Sequence, residues 1–109
     1  MIKSEKPITQ LEKGVNMFLL NDIDELYNRF SEKVYAANIL DRKTKELIAA
    51  ACSVMADCVP CIQAHYARAI EAGVTKDEIS EALAIAMAIS SGNKRAKFGP
   101  VVSELEKNH

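Results

Sequence analysis

Cys58, Cys61 and His65 are the residues whose types and spacing are best suited to chemistry. They stand as Cys58-Val59-Pro60-Cys61, with the imidazole four positions beyond the second thiol. On an α-helix, positions i, i+3 and i+7 project from nearly one face, so two sulfurs and an imidazole are predicted to converge. A cysteine in a first helical turn meets free backbone N–H groups and the positive end of the helix dipole, which favour thiolate over thiol. By that argument Cys58, nearer the N-terminus, is the more acidic of the pair. A cysteine one turn before an imidazole can pass its proton to that base, as nucleophilic cysteine catalysis requires. A second thiol three residues away can condense with a sulfenic acid and close a disulfide.

Other chemistries compete for the same residues. Cys58, Cys61 and His65 could be three zinc ligands completed by Glu46 or Cys52. Structural zinc sites usually draw on two separated pairs, and here only His109 is left over, so a dithiol is favoured over metal. Two buried cysteines beside a satisfied core histidine are the plain alternative. A permanent structural disulfide is disfavoured, because so short a loop constrains little and the chain reads as intracellular. Proline before the second cysteine is also the thioredoxin arrangement, but that fold needs a βαβ framework and this sequence offers helices on both sides.

The elements that must position these groups follow from apolar spacing and end signals. Ile8, Leu11, Val15, Phe18 and Leu19 predict a first helix, weakened by Gly14. Asp22 with Glu25 has the form of a capping box opening a second helix through Leu26, Phe30 and Val34. A joint over residues 35–40 leads to Asp41 as the cap of a third helix, which carries Leu47, Ile48, Ala51 and Val54 and ends near Asp57. A fourth starts around Cys58 to Pro60, since proline is tolerated in the first turn, and stops at Gly73. Thr75 and Glu78 form the best capping box, ahead of Ile79, Leu83, Ile85 and Ile89, with Ser90 to Asn93 predicted to close that helix. A last segment runs from Lys94 to Lys107, with a break marked at Gly99-Pro100. No strand-type alternation occurs, so the fold class is all-α with about five to six helices.

The bulk properties fit this reading. The chain has 109 residues, 49% hydrophobic and 27% charged, and is expected to form a single domain over 1–109. A formal net charge of −1 argues against nucleic acid as the main partner. No apolar run is long enough for a membrane span, and Met1 to Gln10 lacks a secretory apolar region, so a cytoplasmic location is expected. Aromatics are scarce at 6%, so the core must be built from small aliphatic side chains. The apolar surplus on so short a chain predicts burial between subunits.

Upstream of the cysteines, Glu46 completes a longer string, Glu46-x11-Cys58-x2-Cys61-x3-His65. This string resembles the signature of AhpD-like alkylhydroperoxidases within the carboxymuconolactone decarboxylase family. The flanks agree, with residues 40–47 ahead of the motif and Ala69-Ile70-Glu71-Ala72-Gly73-Val74-Thr75 beyond it, and the likeness covers roughly residues 25 to 95. The resemblance implies an all-helical fold assembling as a homotrimer or homohexamer, and a thiol peroxidase that uses neither metal nor flavin. It implies that Cys61 attacks a hydroperoxide, that Cys58 resolves the sulfenic acid as a disulfide, and that His65 accepts a proton with Glu46 as its orienting partner in a relay. Glu46 lies too far from Cys58 along one helix, so it must come from the preceding helix packed alongside. No bound cofactor is implied, only an external reductant, for which a lipoyl group, thioredoxin or a small thiol is chemically adequate. Some AhpD-like members carry histidine where this chain has Pro60, which makes a dithiol–disulfide oxidoreductase with little peroxidase activity one alternative. The family's lactone-decarboxylating branch, which lacks the cysteine pair, is the other.

The remaining candidates have plainer roles. Cys52 is expected to be a buried, inert core residue, and Arg68 a surface ion-pair residue. Asp57 reads as an N-cap. Lys94-Arg95-x-Lys97 reads as a solvated surface cluster. Tyr35, Tyr66 and Phe98 are expected in core or interface, with Tyr66 a candidate to border a substrate pocket.

Overall fold

The computed structural model describes residues 19–109; the helix predicted on Ile8, Leu11, Val15, Phe18 and Leu19 lies outside them except for Leu19, which is not helical. Those residues form four α-helices: α1 (Asn21–Tyr35), α2 (Arg42–Met55), α3 (Val59–Glu71) and α4 (Lys76–Asn108). No strand occurs among them.

Helix α1 starts without the predicted capping box. Its N-cap is Leu20, which makes no side-chain bond, and the Asp22 carboxylate instead accepts from the N–H of Ile23 at 2.9 Å. Asp22 and Asp24 still place negative charge in the first turn, where the helix dipole favours it. The other end of α1 is tied down by Lys45, whose Nζ donates to the carbonyls of Val34 (2.7 Å) and Ala36 (2.6 Å). One ammonium of α2 thus satisfies carbonyls that the end of α1 leaves unpaired.

Asp41 caps α2 as predicted, accepting from the Thr44 N–H at 2.8 Å. The α2–α3 joint departs from expectation in one detail. Asp57 is not a cap but a left-handed linker residue, φ +57°, and Cys58 is the N-cap of α3. The Cys58 N–H donates to the Ser53 carbonyl at 3.0 Å, which pins the start of α3 to the last turn of α2. Pro60 sits in the first turn of α3, where its missing N–H costs nothing. Gly73 ends the helix at φ +92°, the conformation that favours glycine. Thr75 and Glu78 then make the predicted reciprocal box, at 3.1 and 2.8 Å.

α4 overturns the prediction that Ser90 to Asn93 would close a helix and that Gly99-Pro100 would break the next. It continues as one 33-residue helix, about 50 Å long at 1.5 Å per residue. Neither Gly92 nor Gly99 adopts the positive φ that a glycine cap needs. The carbonyl that Pro100 leaves without a donor lies in a stretch where every residue from 91 onward is exposed to water.

α2 packs against both α3 and α4. Ala50 on α2 and Ala64 and Ala69 on α3 are buried, and such small side chains let helix axes approach closely. Ala69, Val74 and Ile79 form the buried cluster, with Leu47 and Leu83 packed against it. The same face of α2 that buries Ala50 also buries Glu46 and Ser53. This is the face that carries the site.

Candidate active site

Cys58 and Cys61 are joined by a disulfide at the start of α3, with Cα atoms 5.2 Å apart. Cys58 Sγ also accepts from the Cys61 N–H at 3.2 Å, the bond of an N-cap made by sulfur. One turn on, His65 is buried. Its Nδ1 lies 2.9 Å from Glu46 Oε1, so the prediction that Glu46 reaches the site from the preceding helix holds. The tilted Tyr35 ring packs against the imidazole, centroids 4.8 Å apart, and limits its rotation.

Arg68 and Cys52 lie elsewhere than their spacing predicted. Arg68 is not a surface residue: it is buried, and its Nε donates to Glu46 Oε2 at 3.2 Å. Cys52 is not in the core. It is an exposed free thiol on the wall of the cavity described below. Arg68 was legible in principle, since it falls three positions after His65 and seven after Cys61, on the face where those two converge. An arginine at that register next to a buried glutamate on the facing helix is an ion-pair candidate of the buried kind.

Glu46 has no solvent exposure. Burial alone would push its carboxyl up. The hydrogen bond from His65 and the charge it brings when protonated, then the hydrogen bond and charge of Arg68, outweigh that effect and hold it below the usual carboxylate value. Glu46 therefore accepts at both oxygens as a carboxylate. A carboxylate can only accept, so His65 Nδ1 is the donor of that bond and carries a proton.

Beside this group lies a cavity of about 420 Å³. Its wall is formed by the apolar Val34, Leu40, Ile48, Ala49 and Ala56 together with Tyr35, Lys45, Cys52, Ser53, Cys61 and His65. Of the disulfide pair it is Cys61 that lines this space together with His65. Tyr66, the aromatic expected to border a pocket, lies elsewhere, partly exposed on α3. The polar groups are largely committed: the Lys45 ammonium to two carbonyls, and the Ser53 hydroxyl to the Ala49 carbonyl at 2.7 Å. The site thus offers sulfur and imidazole groups on the wall of a mostly apolar space.

Known proteins share this sequence and fold. The pattern of the Carboxymuconolactone decarboxylase family matches residues 21–99. A Paracoccus denitrificans protein described as uncharacterized protein 4 in the cox locus is 32% identical over 85 residues, covering 78% of this chain and 77% of that protein. A crystal structure of a Methanobacterium thermoautotrophicum protein is 34% identical, covers 75% of this chain and 92% of that one, and superposes with a TM-score of 0.69. A Thermotoga maritima protein, described as of the carboxymuconolactone decarboxylase family and suggested to be involved in antioxidative response, is 31% identical with a TM-score of 0.57. That match covers 83% of this chain and 98% of the Thermotoga chain. With most of its length matched in sequence and its helices in the same arrangement, the chain belongs to the carboxymuconolactone decarboxylase family.

Proposed function

We propose that this protein is a thiol-dependent peroxidase that reduces organic hydroperoxides through a Cys58/Cys61 dithiol–disulfide cycle. The observation that carries this reading is that Cys61 and His65 open together on an apolar cavity while a buried carboxylate holds the far side of the imidazole. In the reduced protein His65 Nε2 takes the Cys61 proton. The thiolate attacks the distal peroxide oxygen, the O–O bond breaks, and the alkoxide leaves as alcohol with a proton, giving a Cys61 sulfenic acid. Cys58 then attacks that sulfur, water leaves, and the disulfide seen in the structure results. An external thiol or dithiol must return two electrons, and a lipoyl group, thioredoxin or a small thiol would serve. No bound metal or flavin enters these steps.

The composition of the cavity supports an uncharged substrate. Its lysine is held by two backbone carbonyls, so a carboxylate on the ligand would be desolvated without a free cation on the wall to receive it. An apolar hydroperoxide suits this space better than the carboxylated lactone of the family's decarboxylating branch. The antioxidative role suggested for the Thermotoga relative points the same way. We further read the protein as a cytoplasmic homotrimer or homohexamer. Phe98, Val101, Val102 and Leu105 form an exposed apolar stripe at helical spacing on α4, of the kind that subunit contacts cover.

The test is a thiol count by mass spectrometry on the reduced protein before and after one equivalent of hydroperoxide. Loss of two thiols mapping to Cys58–Cys61 supports the peroxidase. Persistence of all thiols, together with lactone turnover that survives in a Cys58→Ser/Cys61→Ser variant, replaces it with the lyase.

A further inference from the structure

We infer that Arg68 is a positioning residue for the proposed reaction, the counter-ion that keeps Glu46 a carboxylate and thereby leaves His65 neutral with its Nε2 free to take the Cys61 proton. This rests on the peroxidase reading for its consequence but on geometry for its substance. Glu46 is fully buried, and its two oxygens face different partners: Oε1 meets His65 Nδ1 at 2.9 Å, Oε2 meets Arg68 Nε at 3.2 Å. Both donors come from one face of α3, the acceptor from α2.

The charge state of the cluster follows from its burial. A buried group of charges is favoured when it sums to zero, because uncompensated charge in a poorly solvated site is expensive. With Arg68 present, carboxylate and guanidinium already cancel, so the imidazole completes a neutral cluster only when it is itself neutral. It then donates from Nδ1 to Glu46 and carries no proton on Nε2. Without Arg68, two neutral arrangements of Glu46 and His65 remain. One is carboxylate with imidazolium. The other is a carboxylic acid donating to Nδ1, which forces the imidazole proton to Nε2. Both place a proton on Nε2, and both remove the base.

The other charged or titratable groups near His65 do not supply the missing cation. Tyr35 of α1 stacks on its ring. Cys61 of α3 and Cys52 of α2 share the cavity with it, and Cys58 is the N-cap of α3. Lys45 of α2 has its ammonium on the carbonyls of Val34 and Ala36. Among the described residues, the ion pairs of α4 run to Lys43 and within α4 itself. Because Arg68 holds Glu46 charged, the proton taken from Cys61 stops on His65 and does not travel on to the carboxylate. Glu46 orients and steadies the imidazolium while it lasts, in the manner of the carboxylate in a nucleophile–histidine–carboxylate triad.

The experiment begins with the reduced wild-type protein labelled with 15N. The expected result at pH 7 is a neutral His65 with its proton on Nδ1; an imidazolium, or a proton on Nε2, overturns the inference without any variant. In Arg68→Met, the Nε2 proton should be present at pH 7. The rate of Cys58–Cys61 disulfide formation with cumene hydroperoxide should fall at least about tenfold, a modest part of what a general base supplies. That rate should recover as the pH is raised. Arg68→Lys, which keeps a cation, should restore most of the wild-type pH–rate profile. A folded Arg68→Met protein with wild-type tautomer and profile also overturns the inference. If the wild type shows the expected tautomer yet forms no disulfide with the hydroperoxide, the peroxidase reading falls and the assignment of Arg68 stands.

Discussion

Replacing Glu46 with leucine tests whether the buried cluster is coupled as its geometry demands. The substitution removes the acceptor of two bonds at once and strands Arg68, whose side chain is only 8% exposed, and His65, 7% exposed. With so little solvent to screen them, the cost is that of breaking a buried ion pair from one side, about 4 kcal/mol. Removing the stranded cation as well, in Glu46→Leu/Arg68→Met, leaves only a neutral imidazole N–H without an acceptor. That residual cost is about 1–3 kcal/mol, so the double variant should regain roughly 2 kcal/mol over the single one. Urea unfolding with the disulfide intact and at one fixed protein concentration is the assay, since redox state and association would otherwise shift the apparent stability. At a slope of about 2 kcal/mol per molar urea, the single substitution moves the midpoint down by about 2 M and the double by about half as much. The reasoning is refuted if the double variant is as unstable as the sum of the single substitutions to within about 0.5 kcal/mol, because uncoupled residues add.

Four further outcomes follow from the structure. Glu46 is held below the usual carboxylate value in the folded protein, so its contribution is fully present at neutral pH and is lost as the pH falls through the folded value; the urea midpoint should drop on acidification below about pH 4.5, and less steeply in Glu46→Leu/Arg68→Met. Gly73→Ala forces a methyl-bearing residue to φ +92°; although no atom obstructs the added carbon, the backbone conformation alone should cost about 1–2 kcal/mol in the same unfolding assay. Iodoacetamide on the oxidised protein should modify Cys52 alone, because it is exposed while the other two cysteines are bonded to each other. A bulky maleimide at Cys52, after reduction of the disulfide, should slow hydroperoxide-dependent disulfide formation by filling the cavity, whereas Cys52→Ala should not; equal rates for labelled and unlabelled protein would place the substrate elsewhere.

Where a cap is made by local chemistry the sequence displays it, and where tertiary packing decides it does not. Asp41, Gly73 and the Thr75–Glu78 box act within a few residues of themselves, and all appear where expected. Asp22 and Glu25 have the same spelling as a capping box, yet α1 begins so that Asp22 lies in the first turn and its carboxylate bonds to the next N–H. Ser90 to Asn93 and Gly99-Pro100 are weak helix formers, but weak propensity only lowers stability; termination needs a residue that turns the chain, and these glycines do not. Type and spacing marked out Cys58, Cys61 and His65, the family resemblance added Glu46, and the structure brings the four side chains together. Arg68 and Cys52 were misplaced because burial depends on how deeply α3 seats against α2, which a single helix's periodicity does not contain.

The two cysteines can divide their labour because they occupy different places on the same turn. The helix-dipole argument makes Cys58 the more acidic thiol, and the family resemblance makes Cys61 the peroxidatic one; under the proposed cycle both can operate. Cys58 is the N-cap, with its sulfur already accepting the Cys61 N–H. A thiol at an N-cap position is one that such a bond and the helix dipole would favour as thiolate once the disulfide is reduced. A thiolate is what the resolving step needs, since it must attack the sulfenic sulfur. Cys61 has its backbone N–H spent on that cap, and its side chain shares the cavity with His65. Under the proposed cycle its activation comes from the imidazole, whose free nitrogen depends on Glu46 and, by the inference above, through Glu46 on Arg68. Under this division, Cys58→Ser should still consume one hydroperoxide and stop at a trappable sulfenic acid, while Cys61→Ser should not react. A sulfenic acid trapped on Cys58 in the Cys61→Ser protein would reverse the roles and remove the need for His65 altogether.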